Sequence, residues 1–113
     1  MLSLGDRTKS FALRIIRLYS SLPKNSLAQI LGKQLVRSGT SVGAHYREGK
    51  RARSNAEFTS KIEVGLQELE ESVYWIELLV ESNIVNKKLV SNLLKEADEL
   101  ISIHVTMINK VKG

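Results

Sequence analysis

The most restrictive feature of this 113-residue chain is an apolar side chain at every third or fourth position through four successive stretches. That spacing places apolar side chains on one face of an α-helix. The stretches are separated by Pro23, by the segment Ser54–Glu57 and by Ser82-Asn83. Proline cannot continue a helical hydrogen-bond ladder, and Ser followed three positions later by Glu is typical of a capping box. The sequence therefore predicts four amphipathic helices and no strands.

The bounds of the predicted helices follow from these breaks. The helices run from about Asp6 to Leu22, from Asn25 or Ser26 to about Arg53, from Ser54 to about Ser82, and from about Asn86 to Val111. Amphipathic helices with short connections are typical of an antiparallel, up-and-down four-helix bundle. We therefore expect an all-α fold in a single domain, residues 1–113. The predicted buried positions include Phe11, Ile15, Leu18 and Leu22, then Leu27, Ile30, Leu31, Leu35 and Val42, then Ile62, Leu69 and Ile76, then Leu89, Leu93, Ala97, Leu100 and His104.

Cysteine usage and hydropathy narrow the class of protein. The chain has no cysteine, so neither a disulfide framework nor thiolate chemistry is available. The first ten residues, MLSLGDRTKS, lack the long apolar run of a secretory signal, and no uncharged stretch approaches membrane-spanning length. We therefore expect a cytoplasmic protein that has no membrane partner.

Charge is distributed unevenly along the chain. Residues 1–61 carry 12 Lys and Arg against 3 Asp and Glu, whereas residues 62–113 carry 5 against 9. Such asymmetry favours a basic surface for phosphates or for an acidic partner. The alternative is that the basic and acidic halves neutralise each other within the fold or between subunits.

The second predicted helix carries the basic residues on one face. On a helical wheel, Lys33, Arg37, Arg47 and Arg51 fall within an arc of roughly 80°. Cations on an exposed helix attract phosphates and release counterions, so these positions are candidates for contact with RNA or DNA. The alternatives are a solubilising surface or ion pairs with a neighbouring subunit. The predicted nucleic-acid-binding residues are Lys33, Arg37, Arg47, Lys50, Arg51 and Arg53.

Glycines and surplus apolar residues predict a contact between subunits. Gly32, Gly39 and Gly43 cluster on a third side of the second helix, where another backbone could approach closely. A kinked or broken helix is the alternative. The third helix has a second apolar face and a separate row of Glu63, Glu70 and Glu77, which could face basic residues or solvent. The predicted interface residues are Gly39, Gly43, Val64, Trp75 and Leu78.

No arrangement of residues indicates catalysis. His45 and His104 both fall on apolar stripes, and no His-x-x-x-His or Glu-x-x-His pair is present. Metal binding and general-base chemistry both need convergent partners. We therefore predict a non-enzymatic protein with no cofactor and no metal site, in which both histidines are structural.

Two segments resemble a known family. LGKQLVRSGTSVGAHYREGKRARSNAEF and LEESVYWIELLVESNIV are similar in order and spacing to the 23S rRNA intervening sequence proteins, or S23 family. The resemblance covers nearly the whole chain. It implies a small bacterial four-helix bundle that assembles as a homopentamer with a central channel. His45 departs from the family pattern, in which Asn is expected, and Gly49 stands where Ala is common.

The resemblance also bears on function. A similar fold serves diversity-generating retroelements as an accessory protein, whose basic pentamer binds nucleic acid and a reverse transcriptase. The leading hypothesis is therefore an oligomeric helical bundle that binds RNA or DNA through its basic surface. The alternative is a scaffold whose basic face docks an acidic protein or a protein resembling a reverse transcriptase.

Overall fold

The computed structural model describes residues 2–113 and shows an elongated bundle of 45 × 22 × 22 Å. Its four helices are α1 (Leu4–Ser21), α2 (Ser26–Lys50), α3 (Asn55–Glu81) and α4 (Lys87–Lys112). Successive helices are antiparallel, so that α2 packs against α1 and α3, and α4 packs against α3 and α1. The predicted all-α four-helix bundle is confirmed.

Each helix begins at a polar side chain that satisfies a free backbone N–H group. The side-chain oxygens of Ser3, Asn25 and Ser54 each accept a hydrogen bond from the backbone N–H three residues later, at 3.0 to 3.1 Å. Asn86 accepts one from the N–H of Lys88 at 2.9 Å. Such caps stabilise a helix by about 1 kcal/mol each. Because Ser3 caps α1, this helix begins two residues before the predicted start.

The end of α3 depends on Asn83. This residue has φ of 63°, in the left-handed region, which Asn tolerates better than most residues. The N–H of Asn83 donates to the carbonyl of Val80, and the N–H of Ile84 donates to the carbonyl of Leu79, both at 3.0 Å. These two bonds form a Schellman motif, which satisfies carbonyls at the helix end and fixes the turn toward α4.

Helix α2 is one element through its glycines, but it is shorter than predicted. It ends at Lys50, and Arg51 is its C-cap residue. Because Ser54 has to cap α3, residues 51–54 are needed to reverse the chain. Arg53 therefore lies in the connection between the two helices and not on α2.

The core runs along the axis of the bundle. A buried pair of hydroxyls crosses it, with Ser38 Oγ 2.9 Å from Ser72 Oγ, and Ser72 Oγ also donates to the carbonyl of Glu68. This arrangement satisfies two buried polar groups within the core. The large side chains that are fully buried include Phe11, Ile15, Leu35, Ile62, Leu69, Ile76, Leu79 and Leu100.

Three residues predicted to be buried are exposed. Leu27, Ile30 and Leu89 are 51%, 61% and 67% exposed. At 100° per residue, Ile30 lies roughly 140° from Leu35 around α2, and Leu89 lies roughly 80° from Ala97 around α4. Ile30 and Leu89 therefore lie off the buried stripes of α2 and α4. Both helices present exposed apolar side chains near their amino ends.

Helices α1 and α4 contact each other less than any other neighbouring pair. Near one end, the guanidinium of Arg7 joins them by hydrogen bonds to Glu96 at 2.7 Å and to Glu99 at 3.0 Å. The hydrogen bond to Glu96 is the main cause of a raised pKa at Arg7, which partial burial opposes. Toward the other end, the two helices separate and leave an open groove.

Candidate nucleic-acid interface

Three cationic side chains line one concavity at the carboxyl end of α2. Arg47 and Lys50 lie in the last turn of the helix, and Arg51 caps it. Together they border a space of about 390 Å³. All three residues are exposed, and none of them forms an ion pair with any residue from 2 to 113. Positive charge is therefore concentrated here and open to solvent.

A close contact between α2 and α3 supports this end of α2. A Cβ atom placed on Gly49 would lie 3.4 Å from Lys61 Cβ and 3.5 Å from Ile62 Cδ1. Beside this contact, Lys61 Nζ donates to Glu48 at 2.9 Å, which lowers the pKa of Glu48 and raises that of Lys61. Glu48 is the one acidic residue of α2 and the carboxylate nearest in sequence to the concavity. Its charge is balanced by Lys61 and not by the three cations that line the concavity.

Tertiary structure adds a residue that the sequence did not single out. Lys9 of α1 and Arg47 of α2 both line a second concavity, of about 490 Å³, between the two helices. Lys9 is exposed and has no carboxylate partner among the residues that the structure describes. No signal in the sequence pairs it with α2, because the two residues are 38 positions apart. The basic cluster is defined here as Lys9, Arg47, Lys50, Arg51 and Arg53.

Lys50 also interacts with an aromatic ring. Its Nζ atom lies 5.7 Å from the ring centroid of Tyr46, which is within the range of a weak cation–π contact. Tyr46 is half-buried. Its ring is thus occupied by the protein and is not presented for stacking on a base.

Two of the predicted nucleic-acid-binding residues lie apart from the basic cluster. Arg37 donates hydrogen bonds to Glu68 and Glu71 of α3. Partial burial opposes its charge, but the bonds to Glu71 and Glu68 raise its pKa overall. The charge of Arg37 is therefore balanced within the chain. Lys33 is exposed but is 14 positions from Arg47, about 21 Å along a helix.

The close approach predicted for the glycines of α2 is made within the chain. A Cβ atom on Gly39 would lie 2.8 Å from Ile15 Cγ1, and one on Gly43 would lie 3.1 Å from Thr8 Oγ1. Both neighbours belong to α1. The space that these glycines leave is therefore used by α1 of the same chain, and their part in a subunit interface stays a prediction.

The remaining interface candidates are half-buried residues of α3. Trp75 and Leu78 pack against the chain's own core, and Val64 is also half-buried. Tyr74, which was not a candidate, is 53% exposed, and its ring meets that of Trp75 edge-on with centroids 5.2 Å apart. The pairing of Arg37 with Glu71 sets the start of α2 beside the end of α3. Ile30 of α2 and Tyr74 of α3 are therefore the more exposed apolar residues near this face.

The predicted row of glutamates does not face the basic cluster. Glu63 pairs with Lys112 of α4 at 3.1 Å, and Glu70 and Glu77 are exposed. The carboxylates that do meet α2 are Glu68 and Glu71, which lie on a different side of α3. The predicted row therefore does not supply the carboxylates that bind α2.

His104 is fully buried in the core. Its Nδ1 atom donates to the carbonyl of Leu100 at 2.8 Å, and Nε2, 3.1 Å from a Cβ position on Gly65, has no hydrogen-bond partner. Burial lowers the pKa of His104, so the ring is neutral.

Across residues 2–113, no cluster of three or more His, Cys, Asp or Glu side chains could hold a metal ion. Within the same range, every helix is too short or too polar to cross a bilayer.

Comparison with known proteins places the chain in a family. Residues 2–106 match the family model described as 23S rRNA-intervening sequence protein. The fold is similar to the crystal structure of a protein of unknown function from the S23 ribosomal protein family of Bacteroides thetaiotaomicron. The two are 31% identical, with a TM-score of 0.87 over 94% of this chain and 98% of the other. No protein with a curated description matches. Because the family model spans nearly all of the described helices, this chain belongs to the 23S rRNA-intervening sequence protein family.

Proposed function

We propose that this protein is a non-enzymatic helical bundle that binds RNA or duplex DNA through the basic cluster. The observation that carries the proposal is the concavity lined by Arg47, Lys50 and Arg51, whose charges no carboxylate of residues 2–113 balances. By contrast, Arg7, Arg37 and Lys61 are all paired. The chain thus leaves these neighbouring cations free for an external anion, and a phosphate backbone supplies a regular row of anions.

The chemistry of the basic cluster favours contact with backbone over base. Lysine and arginine bind phosphate oxygens whatever the sequence, whereas recognition of bases needs stacking or groove contacts. The ring of Tyr46 is engaged with Lys50. We therefore expect binding that depends on charge and duplex shape. If three to five phosphates of a duplex are contacted, the logarithm of affinity should fall with the logarithm of salt concentration with a slope of roughly −3 to −4.5.

Self-association would strengthen such binding. We propose a homo-oligomer, with the outer side of α2 and α3 around Ile30, Tyr74 and Trp75 as its contact, because Ile30 and Tyr74 are large apolar residues exposed in the monomer. Several copies would present several basic clusters to one nucleic acid and raise the effective concentration of each. A pentamer, the state implied by the family resemblance, would have a mass near five times 12.7 kDa by light scattering.

Nucleic-acid binding is tested by fluorescence anisotropy with a labelled RNA hairpin and a labelled DNA duplex at low salt. The family is named for an intervening sequence of 23S rRNA, so structured RNA is the first probe. Arg47→Glu with Arg51→Glu should weaken binding at least tenfold. Lys24→Glu with Lys95→Glu makes the same change in net charge away from the basic cluster and should weaken binding less than threefold.

Three results would count against the proposal. No binding of either probe by the parent protein at low salt would remove it. Equal effects of the two double variants would show that net charge alone attracts the probe. If the parent protein binds but Arg47→Glu with Arg51→Glu has no effect, the basic cluster is left for the alternative role, the docking of an acidic protein.

A further inference from the structure

A second surface lies at the opposite end of the bundle from the basic cluster, in the groove between α1 and α4. The groove holds about 350 Å³. Its apolar lining comes from Leu18 of α1 and from Leu89, Val90 and Leu93 of α4. Leu89 is 67% exposed, the highest value among the large apolar residues of the four helices. A leucine this exposed beside a concave apolar floor is typical of a binding surface that a partner covers.

The rim of the groove is cationic. Arg14 and Arg17 of α1 line it, and neither forms an ion pair with any residue between 2 and 113. Because Arg7 pairs with Glu96, the antiparallel register sets Arg17 level with Lys87 and Lys88 at the start of α4. Two cations, Arg14 and Arg17, therefore border the groove on its α1 side, and two more lie at the same level of the bundle.

No carboxylate of the two lining segments offsets this charge. Residues 8–47 contain no Asp or Glu, and neither do residues 82–95. The nearest acidic residue along α4 is Glu96, which is bound to Arg7 beyond the end of the groove, and the exposed Asp98 and then Glu99 follow it at a greater distance along the helix. The groove thus combines an apolar floor with an uncompensated positive wall on α1, and its complement is a ligand with an apolar stripe bordered by negative charge.

We propose that the α1–α4 groove docks an acidic amphipathic helix of a partner protein. The lining extends from Arg14 to Ser21 on α1, which is about 10 Å or two helical turns. That length accommodates two or three apolar anchors spaced i, i+3 or i+4, and i+7, with Asp or Glu beside them to meet Arg14 and Arg17 on the α1 wall. A flat bilayer surface cannot enter a concave groove between two helices, and a nucleic acid offers no apolar stripe for Leu89.

The probe is a fluorescein-labelled synthetic helix of about 18 residues, with Leu at the anchor positions and Glu on the flanks. Its matched control has Lys in place of every Glu. Anisotropy with the full-length protein should show saturable binding of the acidic helix and at least tenfold weaker binding of the basic one. Arg14→Glu with Arg17→Glu should reduce affinity for the acidic helix at least tenfold, and Leu89→Ser should reduce it at least fivefold.

Lys33→Glu with Lys110→Glu is the control variant, since it makes the same change in net charge outside the groove and should leave affinity within twofold. Helix content by circular dichroism should be the same in all variants, because each altered side chain is at the surface. Equal binding of the acidic and basic helices, or no effect of Arg14→Glu with Arg17→Glu, would overturn the proposal.

Other occupants of the groove have distinct outcomes. If Leu89→Glu converts an oligomer to monomers by light scattering, the groove belongs to a second copy of the chain and the proposal is wrong. If the protein sediments with phosphatidylglycerol vesicles and Arg14→Glu with Arg17→Glu abolishes this, the groove serves a membrane surface and the proposal is equally wrong.

Discussion

Alanine substitutions at two glycines of α2 should change stability in opposite directions. At Gly39, an added Cβ would lie 2.8 Å from Ile15 Cγ1, 3.0 Å from Cγ2 and 3.3 Å from Cβ. Ile15 is fully buried and branched at Cβ, so it has no other rotamer that removes the overlap without a shift of α1. At Gly49, the nearest atoms would be at 3.4, 3.5 and 3.6 Å, which are ordinary van der Waals contacts.

The magnitudes follow from two opposing effects. Replacing glycine by alanine inside a helix stabilises it by about 0.5–1 kcal/mol, because alanine loses less backbone entropy on folding. Overpacking a closed core costs about 1–3 kcal/mol. Gly49→Ala has only the first effect, so its free energy of unfolding should rise by about 0.5–1 kcal/mol. In Gly39→Ala the second effect is larger, so its free energy of unfolding should fall by about 1–2 kcal/mol.

The assay is urea unfolding followed by circular dichroism at 222 nm and by the fluorescence of Trp75, the one tryptophan of the chain. Both variants are measured beside the parent protein at two protein concentrations, so that a change in association is not mistaken for a change in folding. An unchanged slope of free energy against urea would show that the variants differ in stability and not in the extent of unfolding.

A double-mutant cycle tests the assigned cause. Ile15→Ala removes the two closest of the three crowding atoms, Cγ1 and Cγ2, so Gly39→Ala should cost less in the Ile15→Ala background than in the parent by at least 1 kcal/mol. If Gly39→Ala is as stabilising as Gly49→Ala, or if its cost does not depend on Ile15, the close approach of α1 and α2 is not what requires glycine here.

Three further predictions concern buried or strained groups. Because burial lowers the pKa of His104 while the unfolded chain keeps its ordinary value near 6.5, the unfolded state binds more protons below that pH. The free energy of unfolding should therefore fall as pH decreases below about 6.5, and urea titrations of His104→Leu should lack that part of the slope. Ser38→Ala should cost about 1 kcal/mol, because Ser72 Oγ loses its hydrogen bond to Ser38 and keeps only the one that it donates to the carbonyl of Glu68, and the double alanine variant should cost less than the sum of the single changes, as measured by the same unfolding assay. Asn83→Gly should raise the thermal midpoint, corresponding to about 0.5–1 kcal/mol, because glycine adopts the left-handed conformation without strain, and a lower midpoint would show that the Asn side chain stabilises this turn.

The helices could be predicted from the sequence because their causes are local. Ser54 caps α3 through a hydrogen bond that spans three residues, and the Schellman motif at Asn83 involves only the last turn of the same helix. The apolar period of α1 placed Phe11, Ile15 and Leu18 correctly in the core. The same period overextended the stripes of α2 and α4, because an apolar residue at a helix end, such as Leu89, need not have a neighbour to cover it.

The candidate site depended on facts that lie far apart in the chain. Arg37 meets Glu68 and Glu71 across 31 and 34 positions, so no pattern within α2 shows that its charge is balanced. Lys9 reaches the basic cluster only because α1 and α2 are antiparallel and close at that end. The absence of acidic residues from 8 to 47 was visible in the sequence, but its effect on the α1–α4 groove required the position of α4.

The order of amino acids was sufficient for four helices, the cap of α3 at Ser54, an excess of positive charge in the first half and a resemblance to the family. Helix formation and capping depend on neighbours within about four residues, which the order of residues states directly. Which cations remain free was decided by the packing of the bundle, because an ion pair between helices depends on their register and separation. For Arg37 the packing supplied two carboxylates, whereas for Arg47, Lys50 and Arg51 it supplied an open concavity within the described chain.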